Sequence, residues 1–120
     1  MPGREMVCVV IPTDDKKTVK LGHFGDAKYY LHYVKGEDGW TLVSEVVNPY
    51  KEDEEHEHEH NTLEKRQKIL ELNKDCDIFV YTVFGPGGED FMKKHGKVVV
   101  RVKPRTTIEE ALRAVEESLH

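Results

Sequence analysis

The sequence predicts a single α/β domain in which a mixed five-stranded sheet lies between two layers of helices. Three observations lead to this fold class. The segments 6–11 and 77–84 are largely apolar runs, typical of buried strands, and 97–102 has the pattern of a last strand. The segments 29–35 and 40–47, joined by a turn with two glycines, have the pattern of a β-hairpin. Helical patterns follow the hairpin and each of the last two strands.

The order of these segments predicts how the strands are arranged. One strand, an antiparallel hairpin and two further strand–helix units give the strand order 3-2-1-4-5, with right-handed crossovers and helices on both faces. These layers are those of a three-layer α/β/α ribonuclease H-like domain. The first strand is expected to end at Pro12. The last helix is expected to begin with a capping box over 107–110 and to carry one apolar stripe.

Length and composition limit the class of protein. The 120 residues suffice for one domain, 1–120, with a single core. No apolar run approaches the roughly 20 residues of a membrane-spanning helix, and the first residues lack the apolar stretch of a signal peptide. We therefore expect a cytoplasmic protein that does not bind membranes. Cys8 and Cys76 have no metal-binding spacing and are expected to be buried thiols.

The net charge of −5 is concentrated in one segment. Residues 51–60 contain six acidic residues and one basic residue, whereas the rest of the chain contains 17 of each. A balanced body of this kind argues against a nucleic-acid partner. Within the predicted acidic loop, 50–60, His56, His58 and His60 alternate with glutamates. Three imidazoles on one side of an extended segment, or His56 and His60 on one face of a helical turn, could bind zinc, copper, nickel or iron. The alternative is a solvated acidic loop.

Two glycine-containing turns carry the candidate cofactor-binding residues. Gly22 and Gly25 bracket His23 and Phe24, and glycine there would let the backbone approach a ligand closely; the alternative is a tight turn with His23 merely exposed. The turn 85–88 precedes a helix and could present backbone N–H groups to an anion, but it lacks the lysine of a P-loop. The predicted topology places both turns where ligands of open α/β sheets bind. The predicted cofactor-binding residues are His23, Phe24, Gly25, Gly85, Gly87 and Gly88, and the predicted metal ligands are His23, His56, His58 and His60.

A metal-dependent hydrolase is a weaker interpretation of the same edge. Asp14, Asp15 and Asp26 lie near it in the predicted fold and could hold a divalent metal ion. The first strand, however, contains no carboxylate, and phosphodiester hydrolysis would require one on that central strand. No group of side chains has the pattern of a nucleophile with its base. We therefore expect a protein without catalytic activity.

The ordered motifs resemble those of the dinitrogenase iron–molybdenum cofactor biosynthesis family, which includes NifX and the C-terminal domain of NifB. The segment 23–30 is similar to the His-Phe-Gly-Arg-Ala signature of that family. The pair Asn48-Pro49 before a histidine-bearing segment, the motif 83–86 before a short helix and the ending 107–112 are also similar. The resemblance covers nearly the whole chain.

Three positions depart from the family pattern. Asp26 stands where the family usually has arginine, Lys28 where proline is common, and Thr82 where glycine is customary. The resemblance implies non-catalytic carriage of an iron–sulfur or molybdenum-containing cluster, with the donor or acceptor proteins of the cluster as partners. It is compatible with a monomer or a weak homo-oligomer. The alternative function is a divalent-metal buffer or chaperone that binds single ions through the His-Glu loop.

Overall fold

The computed structural model describes residues 7–50, 62–85 and 87–119. The strands in these ranges are β1 (Cys8–Thr13), β2 (Tyr29–Gly36), β3 (Gly39–Val47), β4 (Ile78–Tyr81) and β5 (Val98–Arg101). The α-helices are α1 (Thr62–Leu72), α2 (Gly88–Lys94) and α3 (Ile108–Ser118), and Phe24–Asp26 form a short 3-10 turn. Within the same ranges, no helix is long and apolar enough to span a membrane.

The five strands form one mixed sheet in the order β3-β2-β1-β4-β5, as the sequence predicts. β1 pairs antiparallel with β2 and parallel with β4, and β4 pairs parallel with β5. β2 and β3 form the antiparallel hairpin. The carboxyl ends of β1, β4 and β5 therefore lie at one edge of the sheet, together with the start of β2.

Helices cover both faces of the sheet, which confirms the predicted layers. Successive residues of a strand point to opposite faces, so Val9 and Ile11 of β1 face α3 whereas Val10 faces α1 and α2. The apolar stripe of α3 is buried against the first face and consists of Ile108, Ala111, Leu112 and Val115. The other face buries Ile69 of α1 with Phe91 and Met92 of α2. The predicted capping box is present, with Thr107 Oγ1 accepting from Glu110 N at 3.1 Å and Glu110 Oε1 from Thr107 N at 3.1 Å.

Two predicted strand ends are wrong. β1 continues through Pro12 to Thr13, because these residues remain in register with Tyr30 and Tyr29 of β2. β4 ends at Tyr81 rather than at residue 84. Beyond it the chain leaves β5 and instead contacts the segment that precedes the 3-10 turn, as described below.

The prediction of two buried thiols is also wrong, because Cys8 and Cys76 are joined in a disulfide. Their Cα atoms lie 4.6 Å apart. Cys8 is the first residue of β1, and Cys76 stands just before β4, the parallel neighbour of β1. The backbone N–H of Asp77 donates to the Cys8 carbonyl at 3.0 Å. The pairing follows from strand neighbourhood, which the spacing of the two residues along the chain does not reveal.

Candidate functional site

His23 lies at the sheet edge that the sequence predicts for it. Its backbone forms a parallel β-bridge with Val83, and Phe24 N donates to the Val83 carbonyl at 2.9 Å. The His23 side chain is 55% exposed. Because Val83 is two residues from Gly85, this bridge brings the His23 stretch and the second glycine turn together.

The side chain of Phe24 belongs to the core of the protein. It is 1% exposed, and its ring stacks on Phe79 with centroids 5.3 Å apart and an interplanar angle of 5°. The rings of Tyr30 and Phe84 lie against it at 5.2 and 5.1 Å. Phe24 therefore anchors the turn next to His23. Its backbone N–H and carbonyl are both engaged within the protein, so Phe24 positions the site and does not itself offer a group to a ligand.

Buried donors hold the carbonyl groups of the 3-10 turn. Tyr30 Oη donates to the Phe24 carbonyl at 2.7 Å, and Asn48 Nδ2 donates to the carbonyls of Gly25 at 3.0 Å and Ala27 at 2.8 Å. Burial raises the pKa of Tyr30 well above its usual range, so the hydroxyl stays protonated as a donor. These contacts fix the backbone that carries His23 because unpaired buried carbonyls would be costly.

Thr82 fixes the residues that lead into His23. Its buried hydroxyl donates to the Lys20 carbonyl at 2.8 Å and accepts from Gly22 N at 3.2 Å. Gly22 itself has a φ of 133°, which side-chain-bearing residues rarely adopt. Thr82 therefore adds contacts between the end of β4 and the His23 stretch.

Asp26 lies between a histidine and a lysine. Its Oδ1 is 2.8 Å from Lys65 Nζ of α1, and its Oδ2 is 3.8 Å from His23 Nδ1. The second distance is too long for a direct hydrogen bond but short enough for electrostatic attraction. A carboxylate beside one ring nitrogen is the arrangement that commonly orients histidine ligands of metals.

The second glycine turn is built by close contacts. A Cβ on Gly88 would lie 2.9 Å from Phe84 Cδ1, so the ring leaves no room for a side chain there. Gly87 has a φ of 80°. Gly88 N donates to the Gly85 carbonyl at 3.0 Å, so this predicted anion donor is already used within the turn. Glu89 and Asp90 add negative charge at the start of α2.

A positively charged side chain of α1 lies against the second glycine turn. A Cβ on Gly87 would lie 3.0 Å from Arg66 Nη2, which places the Arg66 guanidinium directly against the turn. The preceding residue, Lys65, lies beside Gly25 and pairs with Asp26. Neighbouring cations of α1 thus contact the two glycine turns, and the sequence analysis did not anticipate either of them.

The three aspartates of the hydrolase interpretation are engaged in structural contacts. Asp14 Oδ2 pairs with Lys20 Nζ at 2.8 Å while its Oδ1 accepts from Lys28 N at 2.9 Å. Asp15 Oδ1 accepts from the backbone N–H groups of Thr18 and Lys17, which lower the pKa of Asp15 to about 2. Asp26 pairs with Lys65, as described above. Within residues 7–50, 62–85 and 87–119, no three histidine, cysteine or acidic side chains are grouped to hold a metal ion.

The remaining histidines divide into three groups. The predicted ligands His56, His58 and His60 lie outside the described residues, as does His120. His32 is buried, and its Nε2 lies 2.7 Å from Asn73 Oδ1. His95 is exposed at the end of α2, with its Nδ1 2.9 Å from the Phe91 carbonyl. Of the seven histidines, His23 is therefore the exposed one that the described part of the structure places at the glycine turns.

Sequence reasoning missed the residues that hold the site in place. In the sequence, Asn48 stands out only as part of the Asn48-Pro49 pair after the predicted hairpin, and Tyr30 only as a residue of the predicted strand 29–35. The available signal was a polar residue directly after the hairpin, at the edge where the glycine stretch was expected. Lys65 and Arg66 gave no signal, because one turn of a charged helix is indistinguishable from a solvated helix face in the sequence.

Comparison with known proteins gives one result that covers most of the chain. A family model described as dinitrogenase iron-molybdenum cofactor matches residues 5–118. No curated protein sequence matches the chain. The matched range contains the His23 stretch, the turn at residues 85–88 and the whole sheet. The chain therefore belongs to the dinitrogenase iron-molybdenum cofactor family.

Proposed function

We propose that the protein is a non-catalytic carrier or accessory protein whose cargo is an iron–sulfur or molybdenum-containing cluster. The observation that carries this proposal is the position of His23. Its side chain is largely exposed, but its backbone is fixed. His23 forms a β-bridge with Val83, and the residue before it, Gly22, donates to the Thr82 hydroxyl. An exposed imidazole on a rigid backbone suits a ligand that must bind and later release its cargo.

The charges around His23 support an anionic cargo. The Asp26 carboxylate lies 3.8 Å from His23 Nδ1. A ring that turned to donate its Nδ1–H to this carboxylate would be oriented to bind a metal through the other nitrogen. Arg66 lies against Gly87, and Lys65 lies beside Gly25. These cations would stabilise an anionic cluster placed between the two turns. Both cysteines are in the disulfide, so the ligand set on this chain would rest on imidazole rather than on thiolate.

The engaged carboxylates support the absence of catalysis. Asp14, Asp15 and Asp26 are each paired with a cation or with backbone N–H groups, and such contacts reduce their availability for a catalytic metal ion. A carrier also implies proteins that donate and accept the cluster. We propose these as the partners, in the cytoplasm, with the chain acting as a monomer or weak homo-oligomer.

The alternative is a divalent-metal buffer or chaperone that uses the His-Glu segment. The alternation of His56, His58 and His60 with glutamates favours it. Zinc, copper and nickel all accept imidazole ligands. In this alternative His23 would have no role, which makes the two functions separable by experiment.

The test is anaerobic reconstitution of metal-free protein with ferrous iron, sulfide and molybdate, followed by visible spectroscopy and elemental analysis. The full chain should gain charge-transfer absorption and retain sulfide with the metal. A variant that lacks residues 52–60 should keep most of this absorption if the protein is a cluster carrier, and should lose all metal binding if it is a buffer. Elemental analysis of protein purified anaerobically from its native source would identify the cargo. A full chain that retains single ions but no sulfide would contradict the proposal.

A further inference from the structure

A groove beside the His23 stretch combines exposed apolar side chains with positive charge. It has a volume of about 390 Å³ and lies at the carboxyl ends of β4 and β5. It is lined by Leu21, Val83, Arg101, Val102, Lys103 and Pro104, together with Thr82. The charged side chains in its lining are both cations. We propose that this groove docks an acidic segment of a partner protein, with one apolar side chain of that segment between Leu21 and Val83.

The apolar part of the groove is held in place. The Leu21 side chain is 62% exposed and that of Val83 is 40% exposed. The residues on either side of Leu21 are bonded to the Thr82 hydroxyl, and Val83 is fixed by its bridge to His23. Two exposed aliphatic side chains on an anchored backbone form a preorganised contact for an apolar side chain, which lowers the entropic cost of binding.

The cations follow one another along the chain. Arg101, Lys103 and Arg105 are exposed and alternate from the end of β5 into the loop before α3. No acidic side chain of the described residues forms an ion pair with any of the three. Alternate residues of extended chains are about 6.5 Å apart. Arg101 and Lys103 precede the turn that contains Arg105, so two acidic residues at alternate positions of an extended partner segment would match these two cations.

The turn after Lys103 places Arg105 beside the groove. Thr106 N donates to the Lys103 carbonyl at 3.2 Å, and Arg105 has a φ of 72°. With Pro104 before it, this is the pattern of a type II turn, whose third position favours glycine. Arg105 occupies that position and lines an adjoining groove of about 210 Å³ that shares Leu21. Asp14 and Asp15 also line the adjoining groove, so the cationic character is strongest around Arg101 and Lys103.

The charge of the whole chain favours a short acidic segment over a long polyanion. The net charge is −5 at pH 7, which opposes the approach of extended nucleic acid. Glu89 and Asp90 line a separate pocket that shares Arg101 with the groove. A local patch of cations with an apolar centre is complementary to a few acidic residues around one apolar residue.

None of the proposed cluster ligands lines the groove, so docking of the acidic segment does not depend on metal binding.

The test is fluorescence anisotropy with metal-free full-length protein and a fluorescein-labelled peptide of glutamates around one central leucine. The unmodified protein should bind this peptide, and binding should weaken as salt is raised. The double variant Arg101→Gln, Lys103→Gln should bind at least about tenfold more weakly. Leu21→Ser should weaken binding of the leucine peptide but should have little effect on a peptide with serine in place of the leucine.

The matched control is the double variant Lys94→Gln, Arg113→Gln. It removes one lysine and one arginine that are exposed on α2 and α3, away from the groove, and it should bind the peptide within about twofold of the unmodified protein. Equal losses in both double variants would show attraction by overall charge alone and would overturn the proposal. Equal binding of the leucine and serine peptides would also overturn the proposal. A third contradicting result would be that inorganic phosphate or a single-stranded oligonucleotide displaces the labelled peptide at lower concentrations than the unlabelled peptide does.

Discussion

The side-chain amide of Asn48 donates to the Ala27 carbonyl over 2.8 Å, and this contact joins the end of the hairpin to the turn that carries His23. The same amide nitrogen lies 3.0 Å from the Gly25 carbonyl. Asn48 is 6% exposed, so water cannot readily replace it as the donor. The geometry of the candidate site thus depends on a residue outside the glycine stretch.

Replacing Asn48 with alanine should lower the free energy of unfolding by about 2 kcal/mol, because the buried Ala27 carbonyl and the partly buried Gly25 carbonyl lose their donor. Asn48→Asp has nearly the same shape but presents oxygens to those carbonyls, so it should be at least as destabilising. Urea unfolding followed by circular dichroism measures both effects. If Asn48→Asp were as stable as the unmodified protein, the amide would not be the donor that holds the turn.

Thr82 provides a second test of how the His23 stretch is fixed. Thr82→Gly restores the residue customary in the family but removes the hydroxyl that bonds Lys20 and Gly22, and we expect a loss of about 1–2 kcal/mol in unfolding free energy. Thr82→Ser keeps the hydroxyl and should recover most of that loss. Hydrogen exchange at Gly22 should be faster in the glycine variant only. Equal exchange in both variants would show that the hydroxyl does not hold this segment.

The contacts of Asp15 predict a dependence of stability on pH. The pKa of Asp15 is lowered from 3.8 to about 2 by the N–H groups of Thr18 and Lys17. The ionised form is therefore favoured in the folded state, and its contribution to stability is present above pH 4 and lost as the pH falls towards 2. Asp15→Ala should lower the free energy of unfolding by about 1 kcal/mol at pH 7 and by much less at pH 2.5.

Urea unfolding of Asp15→Ala and of the unmodified protein at both pH values checks this expectation. The carboxylate lies at the surface, so the difference at pH 7 should be modest and should persist in high salt, since hydrogen bonds rather than distant charges cause it. A difference that stays constant between pH 7 and pH 2.5 would contradict the assigned role of the carboxylate.

The fold was predictable from the sequence because each of its elements has a local pattern. The apolar strands, the glycine turn of the hairpin and the Thr107 capping box each specify their own conformation, and the chain order restricts the topology. The end of β1 was misplaced because Pro12 breaks a strand only where its missing N–H is needed. The end of β4 was misplaced because Thr82 and Val83 contact residues about 60 positions earlier.

The candidate site was predictable only in part. The position of His23 beside the second glycine turn follows from topology, which the chain order supplies. The donors Tyr30 and Asn48 and the cations Lys65 and Arg66 act through tertiary contacts. No local pattern distinguishes a buried asparagine that holds a turn from one that ends a strand, so these roles became visible only in three dimensions.

Anaerobic reconstitution of His23→Ala beside His95→Ala decides whether His23 is a ligand of the cluster. Both histidines are exposed, but only His23 lies at the two glycine turns. Metal-free protein of each variant is mixed with ferrous iron, sulfide and molybdate. The visible charge-transfer absorption is then measured, together with the amounts of sulfide and metal that remain bound to the protein. We expect His23→Ala to lose most of this absorption and His95→Ala to keep it. Equal absorption and equal sulfide content in the two variants would contradict a cluster site at His23.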